Sequence, residues 1–219
     1  MLLRVLIVVL LSVSPVFGQQ RPSFDFGLRA GKPGTSVVGL EHDQYYRLFG
    51  GTDFMETSNY AVGPTFAVNL TDHLAIQLDA LYKPVRYTTT GPSQPGFYSQ
   101  RSSTRGHWWE FPLMAKGRFG RENVQPFAGG GISFNHATGT TESFYTDVRA
   151  GTETRSSRPL GMSGSWFGLV AGGGVELKAG NFQIAPELRY THWRRTSYGP
   201  GTYALPNQFD LLVGFTFRK

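Results

Sequence analysis

QFDLLVGFTF, residues Gln208 to Phe217, carries Phe209, Leu211, Val213, Phe215 and Phe217 at every second position. Gln208, Asp210, Leu212, Gly214 and Thr216 stand between them. Only an extended strand sends alternate side chains to opposite faces, so one face of this segment is continuously apolar and the other mostly polar. In this register Val213 lies mid-strand on the apolar face and Leu212 lies among polar neighbours. A charge at Val213 is therefore expected to cost more than added polarity at Leu212.

The same period recurs along the chain. Phe24, Phe26, Leu28 and Ala30 alternate with Ser23, Asp25, Gly27 and Arg29 in a first strand. Tyr60, Val62, Phe66, Val68 and Leu70 mark a second, and Thr71-Asp72 turn it into a third bearing Leu74, Ile76, Leu78, Ala80 and Tyr82. Trp109, Phe111, Leu113, Ala115 and Phe119 mark a fourth strand, which turns at Gly120 to Asn123 into a fifth reaching Phe134, whose faces the pattern leaves open. Phe167, Leu169, Ala171, Val175 and Leu177 make a sixth, and Phe182, Ile184, Leu188 and Tyr190 a seventh beyond a turn at Lys178 to Asn181. With the closing segment these make eight strands.

Connection lengths alternate too. The turns near 71, 121 and 179 take a few residues, while those near 32–56, 88–106, 137–163 and 196–206 are long and rich in Gly, Ser, Thr and Pro. Short turns at one end and long loops at the other are the arrangement of outer-membrane barrels, with both chain ends on the periplasmic side. The expected fold is all-β, an eight-stranded antiparallel up-and-down transmembrane β-barrel. Strands of roughly ten tilted residues suffice to cross the hydrocarbon layer.

Placing the polar faces inward makes a check on that fold. The acids Asp25, Asp79, Glu110, Glu176, Glu187 and Asp210 would share the lumen with the bases Arg29, Lys83, Lys116, Arg118, Arg189 and Arg195. A barrel of about eight strands is just wide enough to be filled by side chains, so these charges must pair across the interior.

Composition agrees. Only 16% of the 219 residues are charged, against 14% aromatics and 28 glycines, and there is no cysteine to form a disulfide, a thiolate metal site or a nucleophile. The net charge of +6 is scattered rather than clustered, which argues against a nucleic-acid partner; it reads first as a solvated surface excess and second as attraction to the anionic face of an outer membrane, and outer-membrane lipid and lipopolysaccharide are the expected partners. Arg4, the apolar run Val5–Val13 and the small residues up to Gly18 read as a signal peptide at 1–18, leaving 19–219 as the barrel domain.

QFDLLVGFTF resembles the closing strand of bacterial outer-membrane barrels, with Arg218 and Lys219 following its final aromatic. NVQPFAGGGISF, Asn123 to Phe134, is similar to a mid-barrel strand of the small outer-membrane β-barrel domain family, the PorT-like and outer-membrane-protein-A-like barrels. The resemblance implies an eight-stranded barrel in the outer membrane of a Gram-negative-type cell, inserted by the barrel-assembly machinery. It implies no single role, since these barrels differ in function. No peptidoglycan-binding domain is expected after the last strand.

Motifs for chemistry are sparse. His136 and Thr138 echo the His-x-Ser pair of outer-membrane lipid hydrolases, with Thr in place of Ser, Asn135 before and Glu142 after. His42, His73, His107, His136 and His192 lack metal-ligand spacing, and Gly129–Gly131 and Gly172–Gly174 precede no phosphate-loop lysine. Those glycines instead fit a barrel wall that needs close strand approach. No catalytic, cofactor-binding or metal residue is assigned, and no cofactor is expected. Tyr60, Tyr82, Trp109, Phe167, Tyr190 and Trp193 are expected at the headgroup boundary. The segment Ala137–Ser163, mixing Glu142, Asp147 and Glu153 with Arg149, Arg155 and Arg158, reads as a solvated loop able to meet an unidentified extracellular ligand. The expected role is a filled, non-enzymatic barrel serving envelope structure or loop-mediated binding. The alternatives are a narrow gated pore and a lipid-modifying hydrolase.

Overall fold

A computed structural model describes residues 22–40, 52–56, 59–94, 98–120, 123–147, 149–159, 164–194 and 202–218. The signal-peptide segment, His42 and Arg195 lie outside them. In chain order the strands are β1 (Ser23–Pro33), β2 (Val38–Leu40), β3 (Thr52–Glu56), β4 (Ala61–Asn69), β5 (Leu74–Asp79), β6 (Leu81–Gln94) and β7 (Tyr98–Arg118). They continue with β8 (Val124–Asp147), β9 (Thr152–Pro159), β10 (Gly164–Ala179), β11 (Phe182–Trp193), β12 (Thr202–Ala204) and β13 (Asn207–Arg218).

β5 and β6 are one barrel strand. Both keep the same register against β4 and β7 and are separated only at Ala80, which lies across from Pro64, a residue with no N–H to give the ladder. Counted so, eight antiparallel strands close a ring: β1, β4, β5–β6, β7, β8, β10, β11, β13 and back to β1. The last strand seals it by pairing Phe26 with Phe217 and Ala30 with Val213. The alternation read from the sequence survives in burial, with Asp25, Asp79, Glu110 and Asp210 at 2% exposure or less and Phe24, Phe66, Leu211 and Phe215 at 44% or more.

The fifth strand's faces are now settled. Gln125, Phe127, Ser133, Asn135 and Ala137 point inward and are buried, while Val124 and Phe134 point outward. Glycines 131 and 174 explain how so narrow a wall closes: a Cβ on Gly131 would stand 1.9 Å from the Leu113 carbonyl oxygen, and one on Gly174 2.0 Å from that of Pro186. Short turns are built as the sequence implied. Thr71 Oγ1 accepts hydrogen bonds from the His73 and Leu74 amides, and Gly180 takes a positive φ of 63° between β10 and β11.

Two of the expected long loops are mostly strand. β6 runs to Gln94 and β7 starts at Tyr98, so 88–106 is a hairpin, and β8 runs to Asp147 before β9 folds back along it within 137–163. Hydropathy missed them because both faces are polar there, leaving the β-propensity of Thr and Tyr as the signal. Their inner face is tied by cross-strand hydroxyl pairs, Ser102 with Ser143 at 2.9 Å and Thr104 with Thr141 at 2.8 Å. At about 3.3 Å per residue the 21-residue β7 spans about 70 Å, roughly twice what a tilted strand needs to cross a bilayer. A sheet of β3, β6, β7, β8 and β9 therefore projects beyond the membrane on the loop side.

Candidate functional site

The lumen is filled by charge arranged in three tiers. Nearest the short turns, Glu176 accepts from Lys116 at 2.8 Å and from Arg118 at 2.5 Å, and Arg118 also donates to Asn69 at 2.6 Å. Asp25 receives two hydrogen bonds from Arg218, at 2.8 and 3.0 Å. In the middle, Arg189 links Glu187 and Asp79 at 2.7 Å each, and Arg29 pairs with the same two carboxylates. Thr65 and Gln77 complete the bonding of Asp79. In the upper tier Lys83 Nζ lies 2.7 Å from both Glu110 and Asp210, and Glu110 also accepts from Ser133 and Thr191.

All six acids expected in the lumen are there, with five of the six bases. The sixth, Arg195, falls outside the described residues, and Arg218 supplies a partner that the sequence reading left as a trailing residue. Its even-numbered position on β13 could have revealed it, since Asp210 and Gly214 share that parity and point inward.

Above the charges, the mouth is closed by an apolar cap. Val37, Val85, Trp108, Ala137 and Trp193 are buried together, with Tyr87 and Trp166 packed on them. Trp108 stacks on Trp166 at 6.3 Å and meets Trp193 edge-on at 5.7 Å. Gln208 holds the segment after β1 in place by donating to the Val37 carbonyl, and β2 pairs with β12 to tie the first and last loops together.

Trp193 therefore corrects an expectation: it is 1% exposed and inside the barrel, not at the headgroup boundary. Its parity with Glu187, Arg189 and Thr191 on β11 dictates the inward direction. Leu212 is fully buried and has both kinds of neighbour: the polar ones expected, Asp210 on its own face and Glu187 directly across on β11, and an apolar pair, Ala61 and Leu81, that the alternation did not show.

Outside, two aromatic belts bracket an aliphatic band. Tyr60, Tyr82, Trp109, Phe167, Tyr190 and Phe209 form the loop-side belt, with Tyr82 and Trp109 rings 5.3 Å apart. Phe24, Phe26, Phe66, Phe182 and Phe217 form the other. Phe209 and Phe217 are about 27 Å apart along β13, or roughly 20 Å along the barrel axis once tilt is allowed for, close to the apolar height of such barrels.

His136 and Thr138 both face outward, but the imidazole Nδ1 lies 3.0 Å from Ser165 Oγ on β10, and Glu142 is engaged by Arg155 at 2.6 Å. Among the described residues no three His, Asp or Glu side chains converge to hold a metal.

Closed ring, apolar waist and self-paired lumen define a transmembrane β-barrel of the outer-membrane type. Residues 17–192 match the family described as outer membrane protein beta-barrel domain, and the chain belongs to that family and to the outer membrane. Its fold is similar to that of OprG of Pseudomonas aeruginosa, 11% identical with a TM-score of 0.51, covering 90% of this chain and 95% of that one. Weaker likenesses run to Ail, the attachment invasion locus protein of Yersinia pestis, at 10% identity, TM-score 0.42 and coverage of 90% and 97%, and to the N-terminal barrel domain of P. aeruginosa OprF, at 12%, 0.44, 91% and 98%. No curated protein matches the sequence.

Proposed function

We propose that this protein is a sealed, non-catalytic barrel whose transmembrane part is a scaffold and whose projecting sheet is the working surface, in envelope structure or in binding outside the cell. The single observation that carries this reading is the double closure of the lumen. Three tiers of ion pairs cross it, and a tryptophan cap covers the mouth above them. An ion entering would have to break charge-assisted hydrogen bonds between groups fully withdrawn from water, each about twice as strong as a neutral bond.

The projecting sheet is costly unless used. Some 50 residues of β3, β6, β7, β8 and β9 lie beyond the span that a bilayer requires, by rough count against ten residues per barrel strand. Edge strands of this kind invite pairing partners. The test is reconstitution of the folded full chain into planar bilayers. No steady single-channel conductance is expected; stable ohmic steps from the wild-type protein would overturn the sealed-barrel reading.

A further inference from the structure

Arg86 on β6 and Arg105 on β7 are direct cross-strand partners. Both side chains are exposed on the outward face, and neither makes a hydrogen bond or ion pair with a described residue. Like charges directly opposite one another destabilise a sheet. In the same row, on the flanking strands, stand Glu56 on β3, across from Arg86, and Thr140 on β8, across from Arg105, so a single carboxylate position flanks two guanidinium positions.

Height on the barrel wall says what else can meet them. On β7 the outward series runs Trp109, His107, Arg105; on β6 it runs Tyr82, Pro84, Arg86. The pair thus sits about 7 Å along the strand beyond His107, which is tied to Tyr82 at 2.7 Å in the loop-side aromatic belt. That is where headgroup phosphates of the outer leaflet lie. Directly above, on the same outward face, is a groove of about 610 Å³ whose lining includes Arg101, Ser103, Thr90 and the Phe144 ring. Two carboxylates also line it, Glu142, which Arg155 engages at 2.6 Å, and Glu153, set against Arg101 and Arg105 on the same lining.

The geometry points to a binding site for a phosphorylated glycolipid of the outer leaflet, of the lipopolysaccharide class. Arg86 and Arg105 take a lipid-anchored phosphate, and the groove takes the sugars that follow it. Two planar guanidiniums side by side match the oxygens of one phosphate, and an anion between them removes the repulsion that the bare pair imposes. Ser, Thr and an aromatic face suit hydroxylated rings, whereas a phospholipid headgroup would leave the groove unfilled.

This inference rests on reading the projecting sheet as the working surface. The test uses the full chain folded in detergent, with a rough lipopolysaccharide retaining its lipid A phosphates, the same lipid after dephosphorylation, and phosphatidylglycerol as probes. Binding is read by native mass spectrometry, with the heat-modifiable gel shift confirming that each variant is folded. Arg86→Gln/Arg105→Gln is expected to weaken the phosphorylated glycolipid by about tenfold or more, the value of losing charged hydrogen bonds. The control Lys32→Gln/Arg194→Gln, two exposed cations elsewhere on the wall, is expected to leave it within about threefold. Phe144→Ala should weaken the lipopolysaccharide but not phosphatidylglycerol.

Unchanged binding in Arg86→Gln/Arg105→Gln, an equal loss in the control, or phosphatidylglycerol binding as tightly as the glycolipid would each overturn the inference. A conducting wild-type barrel would instead sink the sealed-barrel reading, so the two failures are distinguishable.

Discussion

Replacing Lys83 by methionine removes one cation from between two carboxylates. Lys83 is fully buried and lies 2.7 Å from Glu110 and 2.7 Å from Asp210. At an effective dielectric near 20, each contact contributes a gross attraction of about 6 kcal/mol. Desolvation of the ions cancels much of that sum, and measured losses for removing one partner of a buried pair settle at about 3–5 kcal/mol. Glu110 keeps its bonds from Ser133 and Thr191, but among the described residues Lys83 is the only hydrogen-bond donor to the Asp210 carboxylate, whose second oxygen has no bonded partner there. Most of the loss is thus assigned to the Asp210 side.

Two partner variants separate the effects. Lys83→Met/Asp210→Asn should recover most of the loss, and Lys83→Met/Glu110→Gln/Asp210→Asn should return to within about 1–2 kcal/mol of wild type, because a neutral interior needs no counter-ion. The assay is reversible urea unfolding in lipid vesicles, followed by tryptophan fluorescence and by the compact gel band of the closed barrel. A loss below about 1 kcal/mol in Lys83→Met, or a triple variant as unstable as the single one, would refute the account of the lumen as an obligatory ion-pair network.

Other expectations follow from the walls of the barrel. Val213→Arg puts a charge on the lipid face near mid-strand and should cost about 2–4 kcal/mol. Leu212→Gln buries an amide against Ala61 and Leu81 and should cost about 1–3 kcal/mol; both are read by vesicle folding yield, and a harmless Leu212→Gln would mean that its pocket is polar or wet. Gly131→Val should abolish the compact band, since its Cβ falls 1.9 Å from the Leu113 carbonyl oxygen; normal closure would show that β7 and β8 can separate there without loss.

Strand identity was legible in this sequence because period-two alternation is a local property. QFDLLVGFTF declares its lipid face without reference to any neighbour, and the burial of Asp210 beside the exposure of Phe209 and Leu211 follows directly. The inward set of charges was legible for the same reason, and parity alone would also have turned Trp193 and Arg218 inward. What needed the tertiary structure is everything that depends on closure. Lys83 meets Asp210, 127 residues away, only because the ring brings β13 across from β6. The apolar company of Leu212 comes likewise from Ala61 and Leu81, residues of other strands. The projecting hairpins stayed hidden because both their faces are polar, so no hydropathy period marks them, and the Arg86–Arg105 pair exists only once their register is set. Alternation tells a side chain which way to point; which partner it finds there is decided by how the sheet curls shut.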